Sequence, residues 1–217
     1  MMIEKTPDGS LTVFSEKYQQ HYHSSHGAQT QARVVYLQGS RTHLHLAPKV
    51  LEVGFGVAMN FLTTLQDTVS RGVPLHYLAY EFDPIATETL REYTRQHPMF
   101  EHEVWQKLLS VWGSSFAFTL GEVTVDVRVE DVTQAEFPLT WASGFYLDGF
   151  SIAVNPEVWT PEFCQKVASS MQVGAHLATY SAAGAVRRAL QDAGLQVTKH
   201  KGLTGKREFV TAEKVTS

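Results

Sequence analysis

One cysteine, Cys164, is all that 217 residues contain, so an intramolecular disulfide and any cage built from several thiolates are excluded. No uninterrupted apolar run approaches the roughly 18 residues a membrane-spanning helix needs, and the mean hydropathy is −0.16. The opening MMIEKTPDGS has no apolar stretch between a basic start and a small-residue cleavage site, so it does not read as a secretory leader. Repeats, low-complexity tracts and Pro/Gly/Ser linkers are also missing, which argues against a solenoid or a two-domain chain. With 43% hydrophobic residues there is apolar material for one sizeable core. The expectation is a single cytoplasmic domain over 1–217, with no membrane and no metal partner.

Excess positive charge is lacking too. The net charge is −4, unlike domains that coat nucleic acid by charge alone. The average conceals an asymmetry: residues 161–217 hold eight Lys and Arg against four acids, a net +4, and the preceding 160 residues therefore carry −8. The basic end makes Arg187, Arg188, Lys199, Lys201, Lys206 and Arg207 candidates for phosphate contact, although exposed helix and strand charges have the same composition.

Strand and helix patterns alternate through most of the chain. Leu11 to Phe14 and Arg33 to Leu37 are short β-prone runs on either side of a polar, His-rich stretch, together an N-terminal β-rich appendage. Lys49 to Val53 reads as a buried strand, Val57 to Val69 as a helix, Leu75 to Tyr80 as a strand, and Pro84 to Gln96 as a helix with Pro in its first turn. Phe116 to Leu120 and Val123 to Val129 alternate about Gly121-Glu122 as a hairpin would. Phe145 to Leu147 is a short strand. Pro161 to Met171 is a helix capped by Thr160, His176 to Tyr180 a strand, and Ala183 to Ala193 a helix stopped by Gly194. Leu195 to Lys199 and Arg207 to Thr211 close the chain as a pair of strands. This order predicts an α/β fold with a mainly parallel sheet and an antiparallel C-terminal edge.

The segment from Leu51 to Asn60 (LEVGFGVAMN) places Gly54-x-Gly56 between an apolar strand and a helix, where a ligand can approach the backbone. Glu81 ends the next strand, 27 residues after Gly54, where an acid can accept from two ribose hydroxyls. A dinucleotide pyrophosphate wants a third glycine where Met59 stands. S-adenosylmethionine has no phosphate and needs only the close-approach loop, with Ala58 and Asn60 in it, and the acid. Glu52 can then face the methionine ammonium group, and Asp131 the adenine amine, unless Asp131 merely caps a turn.

Asp148 follows the strand Phe145 to Leu147. In an open α/β sheet, ligands lie beyond the carboxyl ends of the strands, so Glu52, Glu81 and Asp148 should converge on one crevice. A carboxylate beside a methyl donor suits an amine acceptor, since it can hold an ammonium and stabilise the positive charge that develops on nitrogen. Phe150 and Trp159 flank this acid and are candidates to stack a flipped base. His21-x-His23-x-x-His26 lacks the carboxylate pattern of a metal site.

The chain resembles the methyltransferase domain of the bifunctional tRNA 5-methylaminomethyl-2-thiouridine biosynthesis protein (MnmC) and its stand-alone MnmD-type relatives. The likeness is carried by residues 8–37, LEVGFGVAMNFL at 51–62, FYLDGFSIAVNPEVW at 145–159 and TYSAAGAVRRALQDAGLQVTKHKGLTGKREFV at 179–210. It implies a class I, Rossmann-like methyltransferase core over 48–217, with the 1–47 extension on the substrate side. The implied reaction is S-adenosylmethionine-dependent methylation of the aminomethyl group of 5-aminomethyl-(2-thio)uridine at the tRNA wobble position. Asp148 and Tyr22 are then the catalytic candidates, and His23 and His26 lie on the substrate side. The family loop usually reads GFGTGLNF; here Val57 and Ala58 replace Thr and Gly. The usual DGFxPxKNP becomes DGFSIAVNP, losing a Pro and a Lys near the acceptor. The flavin-dependent oxidase domain of the bifunctional proteins has no counterpart in these residues, so no FAD is expected, and a separate oxidoreductase would act upstream. Methyl or aminopropyl transfer to a small amine or polyamine is the alternative enzyme reading, and a non-catalytic cofactor- or tRNA-binding module the alternative outside enzymes.

Overall fold

In the computed structural model, residues 2–5, 11–15, 20–21, 27–202 and 208–216 are described. Strands β1 (Met2–Lys5), β2 (Leu11–Ser15) and β3 (Gln20–His21) form a small antiparallel sheet, the expected β-rich start. Arg33 to Leu37, expected as a strand, is helical instead. Helix α1 (Ala28–Gln31) runs into a π-helical segment, Ala32–Gln38, whose wide turns bond Gly39 N to Val34 O at 3.2 Å. Ala28, Ala32 and Tyr36 recur every fourth position and are all buried. That spacing is a helix face, and core packing along it outweighs the β preference of Val34 and Val35.

The main sheet is built on five parallel strands, β4 (Lys49–Val53), β5 (Leu75–Glu81), β7 (Val123–Val129), β8 (Ala142–Leu147) and β9 (Met171–Thr179). Every residue of β8 is buried, as expected of a central strand covered on both faces. Strand β6 (Phe116–Leu120) pairs antiparallel with β7 at one edge. At the other, β10 (Gln196–Lys201) and β11 (Glu208–Glu213) form the expected antiparallel pair. The sheet order is β10-β11-β9-β8-β4-β5-β7-β6, so the reversed strand β11 lies one place in from the edge and β10 is outermost.

Helices α2 (Met59–Arg71), α3 (Thr87–Thr94) and α4 (Glu103–Val111), with the π-helical segment, cover one face; α5 (Pro161–Ser170) and α6 (Gly184–Asp192) cover the other. Thr160 caps α5 as expected, its hydroxyl accepting from Phe163 N at 3.1 Å. Helix α3 begins later than Pro84 because the chain stays extended through Ala86, and the Ile85 carbonyl is taken by Trp112 Nε1 at 2.7 Å. Helix α4 buries Val104, Trp105, Leu108 and Leu109. From β4 the chain winds outward through β5 to β7, then returns to β8 on the other side of β4. The switch point therefore falls between β4 and β8, and a ligand crevice is expected outside their carboxyl ends.

Candidate active site

Two strand ends meet at that switch point. Asp148 N donates to Val53 O at 2.9 Å, continuing the parallel ladder in which Val53 faces Leu147. Gly54 follows with φ +89, and a Cβ on it would lie 2.5 Å from the Asp148 carbonyl oxygen. The first glycine of the loop is thus required by the approach of the protein's own backbone, not only by a ligand. Gly56, also at positive φ, points its N–H at Glu81 Oε2 at 2.7 Å. Ala58 starts α2 in the left-handed region at φ 62, a conformation that glycine adopts without steric cost.

Side chains from α2, β4, β5, the π-helical segment and the residue after β8 converge behind this loop. Asn60, in the first turn of α2, donates from Nδ2 to Glu52 Oε1 at 2.8 Å and to Asp148 Oδ2 at 2.7 Å. Tyr77 OH on β5 donates to Glu52 Oε2 at 2.7 Å, and Tyr36 OH on the π-helical segment donates to Asp148 Oδ1 at 2.5 Å. The result is a continuous array, Tyr77, Glu52, Asn60, Asp148, Tyr36, in which two acids are held by three donors. Glu52 has no exposed surface, and burial, reinforced by the Asp148 charge, raises its pKa well above the carboxylate range. Asp148 is half-buried; desolvation pushes its pKa up to about 7, against the lowering effect of the Tyr36 and Asn60 bonds.

Glu52 departs from its expected direct role. Both its oxygens are occupied inside the protein, so it acts on the crevice through Asn60. Glu81 is 8% exposed and its carboxylate accepts from Gly56 N and, at 2.9 Å, from Asp83 N, which ties the glycine loop to the end of β5. Burial raises its pKa. Asp131 stands two residues beyond Val129, the register partner of Glu81, and is therefore on the same rim. It is exposed, and its Oδ1 accepts from Thr133 N at 2.9 Å and Thr133 Oγ1 at 2.7 Å, the turn-capping alternative.

Trp159 is not a stacking platform here: it is 3% exposed, its Nε1 donates to Phe150 O at 2.8 Å, and its ring packs edge-on against Tyr180. It braces the loop after Asp148, together with Tyr180 OH, which donates to Gly149 O at 3.0 Å. Phe150 itself is half-buried beside the acid. On α6, Arg188 is exposed and Arg187 half-buried, with an Nε that has no hydrogen-bond partner among the described residues. Lys199 is bonded to Glu208 at 2.9 Å, which partly neutralises the basic cluster. Tyr22, His23, His26, Lys206 and Arg207 lie outside the described residues. Among the described residues no cluster of metal-binding side chains occurs, and no helix is long and apolar enough to cross a membrane.

The family model described as S-adenosyl-L-methionine-dependent methyltransferase matches residues 95–215. The chain belongs to that family. Among curated proteins, this methyltransferase is 34% identical over 225 residues to the tRNA 5-methylaminomethyl-2-thiouridine biosynthesis bifunctional protein MnmC of Ralstonia nicotianae, across 95% of this chain and 33% of that one. It thus spans about a third of the length of the curated relatives it matches. The crystal structure of MNMC2 from Aquifex aeolicus superposes with a TM-score of 0.81 at 23% identity, covering 99% of this chain and 70% of that chain. Spermidine synthase from Thermotoga maritima reaches 0.65 at 11%, covering 98% and 68%. These likenesses establish the class I methyltransferase fold, and the sequence resemblance to the MnmC methyltransferase-domain family stands.

S-adenosylmethionine is the cofactor of this family, and the residues fit it. Asp148, Glu81 and Asp131 stand at or just beyond the carboxyl ends of β8, β5 and β7, a set of acids suited to a ligand carrying a sulfonium and an ammonium. Asn60 Oδ1 is buried without a hydrogen-bond partner among the described residues, an acceptor waiting for a donor. Met59 stands where a pyrophosphate site would need glycine. Sequence reasoning missed Tyr36 and Tyr77; the repeat of Ala28, Ala32 and Tyr36 was the available signal for the first.

Proposed function

We propose that the protein N-methylates the exocyclic amine of 5-aminomethyl-(2-thio)uridine at the tRNA wobble position, giving the 5-methylaminomethyl nucleoside. The observation that carries this reading is Asp148: a carboxylate at the switch point, beside the glycine loop, with its pKa brought to about 7. The name of the Ralstonia relative, which refers to tRNA 5-methylaminomethyl-2-thiouridine, supplies the substrate class.

S-adenosylmethionine, when bound, supplies an activated methyl group on a sulfonium. The chain's own task is to align a neutral amine with that group and to exclude water. Glu81, with Asp131 on the same rim, would hold the ribose and adenine side, while Gly56 and Ala58 let the donor lie close to the backbone and Asn60 Oδ1 takes a donor hydrogen. Asp148 Oδ atoms receive the acceptor's ammonium and take one of its protons, which passes on to solvent; the nitrogen lone pair is then free, and the re-ionised carboxylate faces the positive charge that forms as nitrogen gains the methyl group. The methylated ammonium then releases its extra proton to solvent. Tyr22, His23 and His26 are proposed for the acceptor side, Phe150 for base contact, and Arg187, Arg188, Lys206 and Arg207 for the tRNA backbone. The primary amine must be exposed by an earlier reaction that removes a substituent from the aminomethyl nitrogen.

The test is incubation with methyl-labelled S-adenosylmethionine and either tRNA bearing 5-aminomethyluridine or the same tRNA lacking it, followed by nucleoside mass spectrometry. Label is expected only in 5-methylaminomethyl nucleosides. Label in a polyamine pool, or donor binding without transfer to RNA, overturns the proposal.

A further inference from the structure

We propose that Tyr36 is the positioning residue of Asp148: its hydroxyl fixes the orientation of that carboxyl group and keeps it in the charged form that receives an amine. The inference rests on the placement of Asp148 at the acceptor amine.

Tyr36 has no exposed surface, its ring lies 5.6 Å from that of Tyr146, and its hydroxyl reaches Asp148 Oδ1 across 112 positions of sequence. The main chain of Tyr180 also bonds this hydroxyl, and burial, with the Asp148 charge, raises the Tyr36 pKa well above its ordinary value. The phenol therefore stays protonated and its one hydrogen is directed at the carboxylate. Asn60 Nδ2 holds the other oxygen. A carboxylate gripped on both oxygens by buried donors cannot rotate, and each donor favours its ionised form. The titratable groups facing Asp148 are Glu52 from β4, Tyr77 from β5, Tyr180 after β9 and Tyr36 itself; burial raises each of them, and none is a cation. With no neighbouring positive charge in that set, hydrogen bonds are the means left to hold Asp148 ionised near neutrality.

The seat of the phenol is specific. Helical turns of ordinary width place fewer residues per turn, whereas the Ala32–Gln38 segment is π-helical, and a Cβ on Gly39 at its end would lie 2.1 Å from Val35 O. Wide turns of this kind recur at functional sites. The N-terminal extension thereby enters the site through a buried residue.

Tyr36→Phe removes one oxygen and keeps the ring. Donor affinity, read by calorimetry, should change by less than about 3-fold, while kcat at pH 7 falls about 10-fold. The acidic limb of the pH-rate profile should move to higher pH, so that the loss at pH 7 largely recovers by pH 9. Independently of turnover, the carboxyl carbon-13 resonance of Asp148, assigned by its absence from Asp148→Asn, should titrate at higher pH in Tyr36→Phe. Should that variant not fold, site-specific 3-fluorotyrosine at position 36, a stronger donor of nearly the same shape, must move both titrations to lower pH. A loss of equal size at every pH, or an unmoved Asp148 resonance, overturns the assignment of Tyr36. Full turnover by Asp148→Asn would instead overturn the placement of the acid, and the role of Tyr36 with it.

Discussion

The Asn60 amide nitrogen lies 2.8 Å from Glu52 Oε1 and 2.7 Å from Asp148 Oδ2, so one side chain bridges two acids that come from different strands. Removing it strands a buried carboxyl. Asn60→Leu should destabilise the fold by about 2–3 kcal/mol, the scale for leaving a buried polar group without its partner, and lower the melting temperature by roughly 4–12 °C. Calorimetric melting checks this. Donor binding should weaken as well, because Asn60 Oδ1 is lost.

Asp148→Asn separates the chemical role from the cofactor's. The charge that stabilises a developing ammonium is gone, and turnover should drop by about 100-fold or more while donor affinity changes little. Single-turnover kinetics at saturating donor and tRNA read the first quantity, and calorimetry the second.

The same variant has a stability signature that depends on pH. Asp148 has an ordinary pKa of 3.8 and a folded value of about 7, so the folded state holds a proton that the unfolded chain has released. Wild-type stability should therefore fall as pH rises from about 4 to about 7, and Asn, which cannot ionise, escapes that loss. The difference in melting temperature, variant minus wild type, should be more positive at pH 8 than at pH 5.

Glu81→Gln leaves one acceptor oxygen where two backbone N–H groups, of Gly56 and Asp83, now bond the carboxylate. The loop loses one anchor. Donor binding should weaken by about 10-fold, and stability should fall by about 1–2 kcal/mol; titration of S-adenosylmethionine and thermal melting measure the two.

Ala58 at φ 62 carries a different kind of strain. A β-branched residue is an outlier in the left-handed region, so Ala58→Val should cost about 2–3 kcal/mol. Ala58→Gly relieves backbone strain of about 1–2 kcal/mol but gives up a buried methyl and loosens the unfolded chain, which together cost about 1–2 kcal/mol, so its net effect is small. Denaturant melts of the two variants should therefore differ by at least about 2 kcal/mol.

What the amino-acid sequence determined by itself was the frame of the site. Strands β4 and β8 are legible as apolar runs and β5 as an apolar and aromatic run broken by His76; an acid stands at or next to the carboxyl end of each, and the order of elements forces those ends onto one rim. The loop Gly54-Phe55-Gly56 announced itself because only a few residue types tolerate its turns. Tertiary structure decided the rest. Whether Glu52 faces a ligand or the interior depends on Tyr77, 25 positions away, and the charge of Asp148 depends on Tyr36, 112 positions away. Trp159 looks equally suited to stacking or to bracing until Phe150 O is seen to take its N–H. Propensity and periodicity act over one or two turns of chain, whereas protonation and hydrogen bonding at a buried site are set by whichever groups the fold packs against it, at separations no local pattern encodes.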